Sequence, residues 1–187
     1  FPDVGALAAA TEDEVLRLWS GLGYYARGRN LHASAKLIAA GGFPADPEGI
    51  QELPGVGRST AAAISVFAFG RRAAILDGNV RRVLARRFGI EGERAQWELA
   101  GSLLPARAID TYTQALMDLG ATVCTRARPA CARCPVANGC VALREHRIAE
   151  LPSPRQRKPL PLRRATWLVL QHQGEVLLER RPSPGIW

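Results

Sequence analysis

The stretch LPGVGRSTAAA, residues 53–63, places a proline and two glycines between a short helical pattern and a longer one. Glycine allows a sharp turn, and it lets the backbone approach another surface because it has no Cβ. The free N–H groups at the start of the next helix, with the helix dipole behind them, favour phosphate. Residues 50–62 are therefore predicted to form two helices joined by a phosphate-binding turn, with an ordinary helix connection as the alternative.

Apolar residues recur at helical spacing over residues 1–150, which predicts a mainly α-helical domain. No segment up to residue 145 shows the alternation that is typical of a strand. The signals predict a helix that begins at the capping box of Thr11 with Glu14, a second helix that stops at Gly41-Gly42, and a third that ends at Gly70. A fourth helix is predicted at 80–88, with arginines on its other faces, and a fifth at 109–119.

The composition changes after residue 150. Residues 151–164, LPSPRQRKPLPLRR, are rich in proline and basic side chains and predict an extended linker. Residues 165–187 contain two apolar, β-prone segments joined through His172-Gln173-Gly174. They are predicted to form the opening hairpin of a second, β-containing domain that the chain does not finish.

The net charge of +8 favours a polyanionic partner, nucleic acid before a membrane surface. The alternative is coding bias, since the basic side chains are 23 arginines and only 2 lysines. The hydrophobic share of 47% argues against wholesale disorder. The apolar runs are too short to span a bilayer, so no membrane association is expected.

The cysteines are confined to one loop with the spacing Cys124-x6-Cys131-x2-Cys134-x5-Cys140. Four thiolates this close in sequence can surround one metal centre. Zinc sites more often use two separate CxxC pairs, whereas one CxxC flanked by single cysteines suits an iron–sulfur cluster. The spacing alone leaves both metals open, and two disulfides are a third possibility. Arginines at 126, 128 and 133 would present positive charge beside this loop.

Two further motifs carry both a structural and a chemical interpretation. In ILDGNVRRVLARR, Asp77 and Asn79 stand just before a predicted helix, where both could cap it. A carboxylate held there could also stabilise positive charge on a sugar. In LGYYARGRN, two tyrosines precede Arg27 and Arg29. A ring could wedge between bases while arginine holds phosphate, or the tyrosines could simply be core and surface residues.

The motifs LGYYARGRN, LPGVGRSTAAA, ILDGNVRRVLARR and ALMDLGATVCT, followed by the cysteine spacing, resemble the adenine DNA glycosylases of the MutY family. That family belongs to the helix-hairpin-helix superfamily that includes endonuclease III. The resemblance covers the whole chain. It implies an N-terminally truncated helical glycosylase domain at 1–150, a linker at 151–164 and, at 165–187, the start of a Nudix-like domain that recognises 8-oxoguanine.

The resemblance implies a monofunctional enzyme that flips adenine out of an A:8-oxoguanine or A:G mismatch in double-stranded DNA and hydrolyses its N-glycosidic bond. Asp77 matches the aspartate that stabilises the oxocarbenium-like sugar, and Asn79 a residue that orients the site. Tyr24 matches a tyrosine that wedges into the duplex. The expected DNA contacts are Tyr24, Arg27, Arg29, Leu53, Gly55, Val56, Gly57, Arg58 and Thr60. Cys124, Cys131, Cys134 and Cys140 match the ligands of a 4Fe–4S cluster.

Ser59 lies where endonuclease III-like relatives carry the lysine that attacks the sugar. A serine hydroxyl cannot form the imine through which the DNA backbone is cleaved, which favours the monofunctional branch. The family's catalytic glutamate has no match here and is expected upstream of Phe1. The chain as given is therefore expected to be inactive alone. The whole protein is expected to be a cytoplasmic, nucleoid-associated monomer.

Two other functions stay open at this point. One is a non-catalytic DNA-binding module made of the helix-hairpin-helix motif and the iron–sulfur loop. The other is a bifunctional glycosylase and abasic-site lyase of the endonuclease III type, against which Ser59 argues.

Overall fold

The computed structural model of the chain describes residues 1–154, 161, 162, 164, 166 and 168–178. Within them the chain is mainly helical, as predicted. The α-helices are α1 (Val4–Ala9), α2 (Glu12–Leu18), α3 (Tyr25–Gly41), α4 (Pro47–Gln51), α5 (Arg58–Phe69), α6 (Gly78–Phe88), α7 (Glu93–Ser102), α8 (Ile109–Asp118) and α9 (Val141–Arg144). A π-helical turn covers Leu119–Val123, and a 3-10 turn covers Cys131–Arg133.

The helix boundaries follow from the local signals. The capping box of Thr11 and Glu14 is confirmed, because each side chain accepts the other residue's backbone N–H. Gly42 and Gly70 end α3 and α5 with positive φ angles of 82° and 61°. No strand occurs between residues 1 and 154, all of which are described. The sequence analysis did not predict α1, α7 or α9.

Helix α5 joins two buried clusters because adjacent small residues face different neighbours. Ala61 packs with Ile50 and Leu53, which lie in α4 and the turn after it. Ala62 packs in the larger cluster, whose buried members also include Ile75, Leu76, Val80, Leu84 and Ala100. The predicted helix–turn–helix at 50–62 is thus built into the core on both sides of α5.

Helix α6 is the centre of the C-terminal half of the first unit. It packs against α7, α8, α9 and the π-helical turn. Its apolar residues Val80, Val83 and Leu84 are buried, as their helical spacing predicts. Arg86 is buried as well, with only 4% of its surface exposed. This helix therefore presents one face to the core and another to the cysteine loop.

The chain divides into two compact units, Phe1–Pro154 and Arg155–Trp187. The first unit extends past the predicted boundary at residue 150 because Leu151 is buried and Ser153 bonds to the Glu91 carboxylate. Much of the predicted linker, including residues 155–160, lies outside the described residues. No helix in the described part is long and apolar enough to cross a membrane.

In the second unit, the described residues contain one antiparallel hairpin. Strand β1 is Gln171–His172 and strand β2 is Glu175–Val176, with Gln171 opposite Val176. Gln173 and Gly174 have φ angles of 50° and 83° and form the two-residue turn. A hairpin lies where one was predicted, but its strands are two residues long and His172 belongs to β1, so only Gln173 and Gly174 form the turn. The Nudix-like assignment is not tested by a hairpin alone, and residues 179–187 lie outside the described part.

Candidate nucleic-acid interface and cysteine centre

The turn after α4 is tight because Gly55 lies against α3. Its φ angle is +75°, and a Cβ there would come within 2.3 Å of the Asn30 side-chain nitrogen. Val56 N–H donates to the Leu53 carbonyl at 3.0 Å, which closes the turn. Ser34 Oγ donates to the Pro54 carbonyl at 3.3 Å. The fold therefore requires glycine at position 55. Asn30 packs against this glycine, a contact that the sequence analysis did not predict.

Gly57 differs from Gly55 because nothing in the chain crowds it. It precedes α5 with an ordinary φ angle of −87°, and no heavy atom lies within 4 Å of a Cβ built there. A side chain at position 57 would therefore meet no crowding within the chain. The first N–H groups of a helix lack acceptors within the helix, and no side chain caps α5. These donors and the bare Gly57 form an open surface that an external anion can approach.

The remaining hairpin residues divide into core and surface. Leu53 is only 8% exposed, so its side chain packs in the core and only its backbone is left for an outside partner. Val56 packs against the same cluster. Thr60 is exposed at the start of α5. The Arg58 guanidinium lies 3.9 Å from the centre of the Trp97 ring, which holds this exposed cation beside α7.

Ser59 connects the helix–turn–helix at 50–62 to the segment that carries Asp77. Its Oγ accepts the Leu76 backbone N–H at 3.0 Å. Leu76 is buried, and the next residue, Asp77, caps α6 by accepting the Val80 N–H at 2.8 Å. The structure thus brings the serine and the carboxylate to adjacent positions around one backbone segment, although they are 18 residues apart in the sequence.

Asn79 does not cap α6, contrary to the capping interpretation, because the helix begins at Gly78 and Asp77 alone occupies the N-cap position. Its side-chain oxygen instead accepts from Arg82 at 2.9 Å. Arg82 also donates to the carbonyls of Cys124 at 2.7 Å and Gly120 at 2.6 Å. Asn79 and the first cysteine are therefore linked through one guanidinium, which the sequence analysis did not predict.

Tyr24 presents its ring to solvent from the start of α3. It is 80% exposed and has a φ angle of 48°, in the left-handed region. Trp19 Nε1–H donates to the Gly23 carbonyl at 3.0 Å and fixes the turn before it. The Arg27 guanidinium lies 4.9 Å from the centre of the Tyr24 ring, and Arg29 is exposed. Since α3 also contacts Gly55, one helix connects the Tyr24 ring to the turn of the helix–turn–helix at 50–62.

All four cysteines line one small cavity, together with Arg86. Burial, followed by negative charge on Cys124, Cys140 and Cys134, raises the pKa of the Cys131 thiol. Among the described residues no three Cys, His, Asp or Glu side chains converge closely enough to hold a single metal ion. The four cysteine side chains thus face a common space.

The family described as "HhH-GPD superfamily base excision DNA repair protein" matches residues 1–103. The chain belongs to the HhH-GPD superfamily. This confirms the superfamily that the motifs predicted, and it agrees with the mainly helical architecture and the hairpin at 50–62.

The similar HhH-GPD relatives include proteins named adenine DNA glycosylase. One from Buchnera aphidicola subsp. Baizongia pistaciae (strain Bp) is 36% identical over 196 residues, covering 100% of this chain and 56% of that protein. One from Homo sapiens is 46% identical over 154 residues, covering 76% of this chain and 28% of that protein. The chain thus spans little more than half the length of the bacterial relative.

Two solved structures agree with the fold. A thermostable thymine-DNA glycosylase superimposes with a TM-score of 0.71 at 29% identity, over 78% of this chain and 71% of that one. A non-covalent endonuclease III–DNA complex gives a TM-score of 0.67 at 24% identity, over 78% of this chain and 72% of that one. At 24% identity, the endonuclease III complex shows similarity of fold alone.

We predict that Ser59→Ala lowers the free energy of unfolding by about 1–3 kcal/mol, because the buried Leu76 N–H loses its acceptor. Thr60→Ala is the matched control. Thr60 is the exposed neighbour of Ser59, and its replacement should change stability by less than about 0.5 kcal/mol. Urea denaturation followed by circular dichroism measures both. Equal effects for the two variants would contradict the role assigned to the Ser59 hydrogen bond.

Proposed function

We propose that the chain is the catalytic part of an adenine DNA glycosylase that removes adenine mispaired with 8-oxoguanine or guanine. The observation that carries the proposal is the hydrogen bond from Leu76 to Ser59, which joins the hairpin to the segment bearing Asp77. A phosphate-binding turn and a carboxylate are what hydrolysis of a nucleoside in duplex DNA needs side by side. The relatives named adenine DNA glycosylase support the choice of base.

In this proposal the hairpin holds the DNA backbone and the target base is rotated out of the stack. The N–H groups at the start of α5 bind phosphate, and the arginines at 27, 29 and 58 add positive charge. The exposed Tyr24 ring stacks in the duplex at the lesion. Gly57 allows the phosphate to reach the backbone because no side chain stands in the way.

Asp77 supplies the negative charge that stabilises the developing sugar cation. Asp77 is held in place because its carboxylate accepts the Val80 N–H and because the N–H of the preceding Leu76 donates to Ser59 Oγ. Asn79 helps to orient the site, held by Arg82 at 2.9 Å. Ser59 cannot attack the sugar as a lysine does, so no imine forms and no strand is cut. The alternative lyase activity is tested by borohydride trapping on abasic DNA, which should capture no covalent complex.

We also propose that Cys124, Cys131, Cys134 and Cys140 hold a 4Fe–4S cluster. Their common cavity supports one shared metal centre, and a single CxxC flanked by lone cysteines suits an iron–sulfur cluster. When bound, the cluster supplies a covalent cross-link of the loop. The chain's own contribution is to hold that loop against α6 and to present Arg126, Arg128 and Arg133 beside it.

The remaining assignments follow from the same proposal. The hairpin at 171–176 belongs to a Nudix-like domain that recognises 8-oxoguanine, and the whole protein acts as a monomer on DNA in the cytoplasm, at the nucleoid. The net charge of +8 supports the polyanionic partner.

Asp77→Asn separates catalysis from capping. Asparagine still offers an oxygen to the Val80 N–H, but the negative charge is lost. In the full-length protein we expect single-turnover adenine excision to fall by about 10²-fold or more, with duplex binding retained. Asp46→Asn is the matched control, because Asp46 caps α4 through the same type of bond to Gly49 N–H at 2.8 Å. Near-normal excision by the Asp77→Asn enzyme would refute the catalytic role.

Gly57 variants test the hairpin assignment. Because the site is open and the φ angle is ordinary, Gly57→Ala and Gly57→Asp should both fold normally. We expect duplex binding to weaken modestly for alanine, which obstructs phosphate, and by about tenfold or more for aspartate, which also repels it. Fluorescence anisotropy across a salt series measures this effect. Unchanged affinity of the aspartate variant would count against phosphate binding at this turn.

The metal proposal predicts that protein prepared without oxygen is brown, with broad absorption near ~400 nm from sulfur-to-iron charge transfer. Elemental analysis should find about four irons per chain. Stoichiometric zinc without iron would refute the cluster.

A further inference from the structure

Arg86 joins three parts of the first unit through one buried guanidinium. It extends from α6, and only 4% of its surface is exposed. Its Nε donates to the Leu151 carbonyl at 2.8 Å. Its two terminal nitrogens donate to the carbonyls of Thr125 at 2.7 Å and Arg126 at 2.9 Å. The same side chain therefore holds the start of the cysteine loop and the exit segment, which we define as residues 151–153.

The Arg86 charge has no carboxylate partner among the described residues. Glu145 and Glu150, which are close in sequence to the exit segment, pair with Arg144 and Arg147 at the surface. A buried cation without compensation costs several kcal/mol, so an unpaired arginine in this position would not stay dry. The carbonyl contacts satisfy its donors, but they leave its net charge uncompensated.

Sulfur is the group near Arg86 that can carry the missing negative charge. A terminal nitrogen of Arg86 lies 3.6 Å from Cys124 Sγ, and Cys140 Sγ lies 3.3 Å from the Arg86 backbone carbonyl. Arg86 also lines the cavity that all four cysteines share. Metal-bound cysteines are thiolates, and a centre with four of them is an anion overall. A bound metal centre therefore supplies the counter-charge that the buried guanidinium needs.

The exit segment depends on the same contact. Leu151 is only 2% exposed, and its N–H donates to the Arg147 carbonyl at 3.0 Å. Ser153 is held separately, because its Oγ donates to a Glu91 carboxylate oxygen at 2.7 Å at the exposed surface. The contact of Arg86 with the Leu151 carbonyl is thus the side-chain anchor of the segment in the interior, while Ser153 anchors it at the surface.

We propose that Arg86 makes the docking of the exit segment depend on metal in the four-cysteine centre. With the metal present, the guanidinium is neutralised and stays buried against Leu151. With the metal removed, the uncompensated cation draws water in, and residues 151–153 detach from the helical unit. The inference rests on the metal centre proposed above and is independent of the excision chemistry.

Hydrogen exchange followed by mass spectrometry tests the proposal on the full-length protein, before and after removal of the metal with an iron chelator under argon. The peptide 147–154 reports the exit segment, and the peptide 31–37 within α3 is the internal reference. We expect exchange in 147–154 to become about tenfold faster or more after metal removal, while α3 is unchanged. Faster exchange in the loop 124–140 alone, with 147–154 still protected, would overturn the proposal.

Variants measured with metal bound separate the loss of the Arg86 guanidinium from a general destabilisation of α6. Arg86→Met should expose the exit segment to rapid exchange even at full metal content. Arg81→Met is the matched control on the same helix, because Arg81 forms only a surface ion pair with Glu93 at 2.8 Å, and 147–154 should stay protected. Slow exchange of 147–154 in metal-loaded Arg86→Met would refute the anchor. If that variant does not retain metal, the chelation experiment on the unmodified protein decides.

Adenine excision and iron content, measured on the same samples, keep the two proposals distinguishable. Loss of the anchor changes exchange at 147–154 and leaves the effect of Asp77→Asn on excision as it was. Faster exchange at 147–154 after metal removal, together with absent excision by the metal-loaded protein, would refute the proposed function and leave the anchor standing.

Discussion

The close packing of Gly120 against α6 is the constraint on which the C-terminal half of the first unit depends. A Cβ at Gly120 would lie 2.6 Å from Asn79 Cβ and 3.1 Å from its backbone carbonyl carbon, a contact that neither backbone can relieve. The absence of that atom lets the π-helical turn reach α6, so that Arg82 can bond to the Gly120 and Cys124 carbonyls. One missing methyl group thus allows the cysteine loop and the Asp77 segment to share a helix.

Electrostatics divides the arginines of this chain into two groups with different tasks. Arg82 and Arg86 donate hydrogen bonds to the Cys124 and Thr125 carbonyls and so attach the cysteine loop to α6. Most other arginines in the described part of the chain are exposed, and surface ion pairs such as that of Arg144 with Glu145 contribute little stability. The positive charge left at the surface is therefore available to an anionic partner, while the buried part acts as a set of fixed donors.

Local patterns in the sequence predicted the features whose causes are local. The capping box at Thr11, the cap of Asp77 and the glycine after α5 follow from rules that act over a few residues, and each was found. Asn79 was misread because its partner, Arg82, lies on the same helix but serves a loop more than 40 residues away. The Arg86 contact to Leu151 spans 65 positions. An arginine in an amphipathic helix gives no sign of such a distant carbonyl, so its burial could not be predicted.

The backbone of Tyr24 has a consequence for how this protein can change. A non-glycine residue in the left-handed region costs about 1–2 kcal/mol relative to a relaxed backbone, and Tyr24 has a φ angle of 48° with a ring that is mostly in solvent. Glycine would remove the cost, and the fold would lose few contacts. A screen that selects variants for heat resistance alone would therefore favour glycine at position 24 and discard the ring. Retention of an aromatic residue at position 24 would therefore require selection for a function that involves a partner.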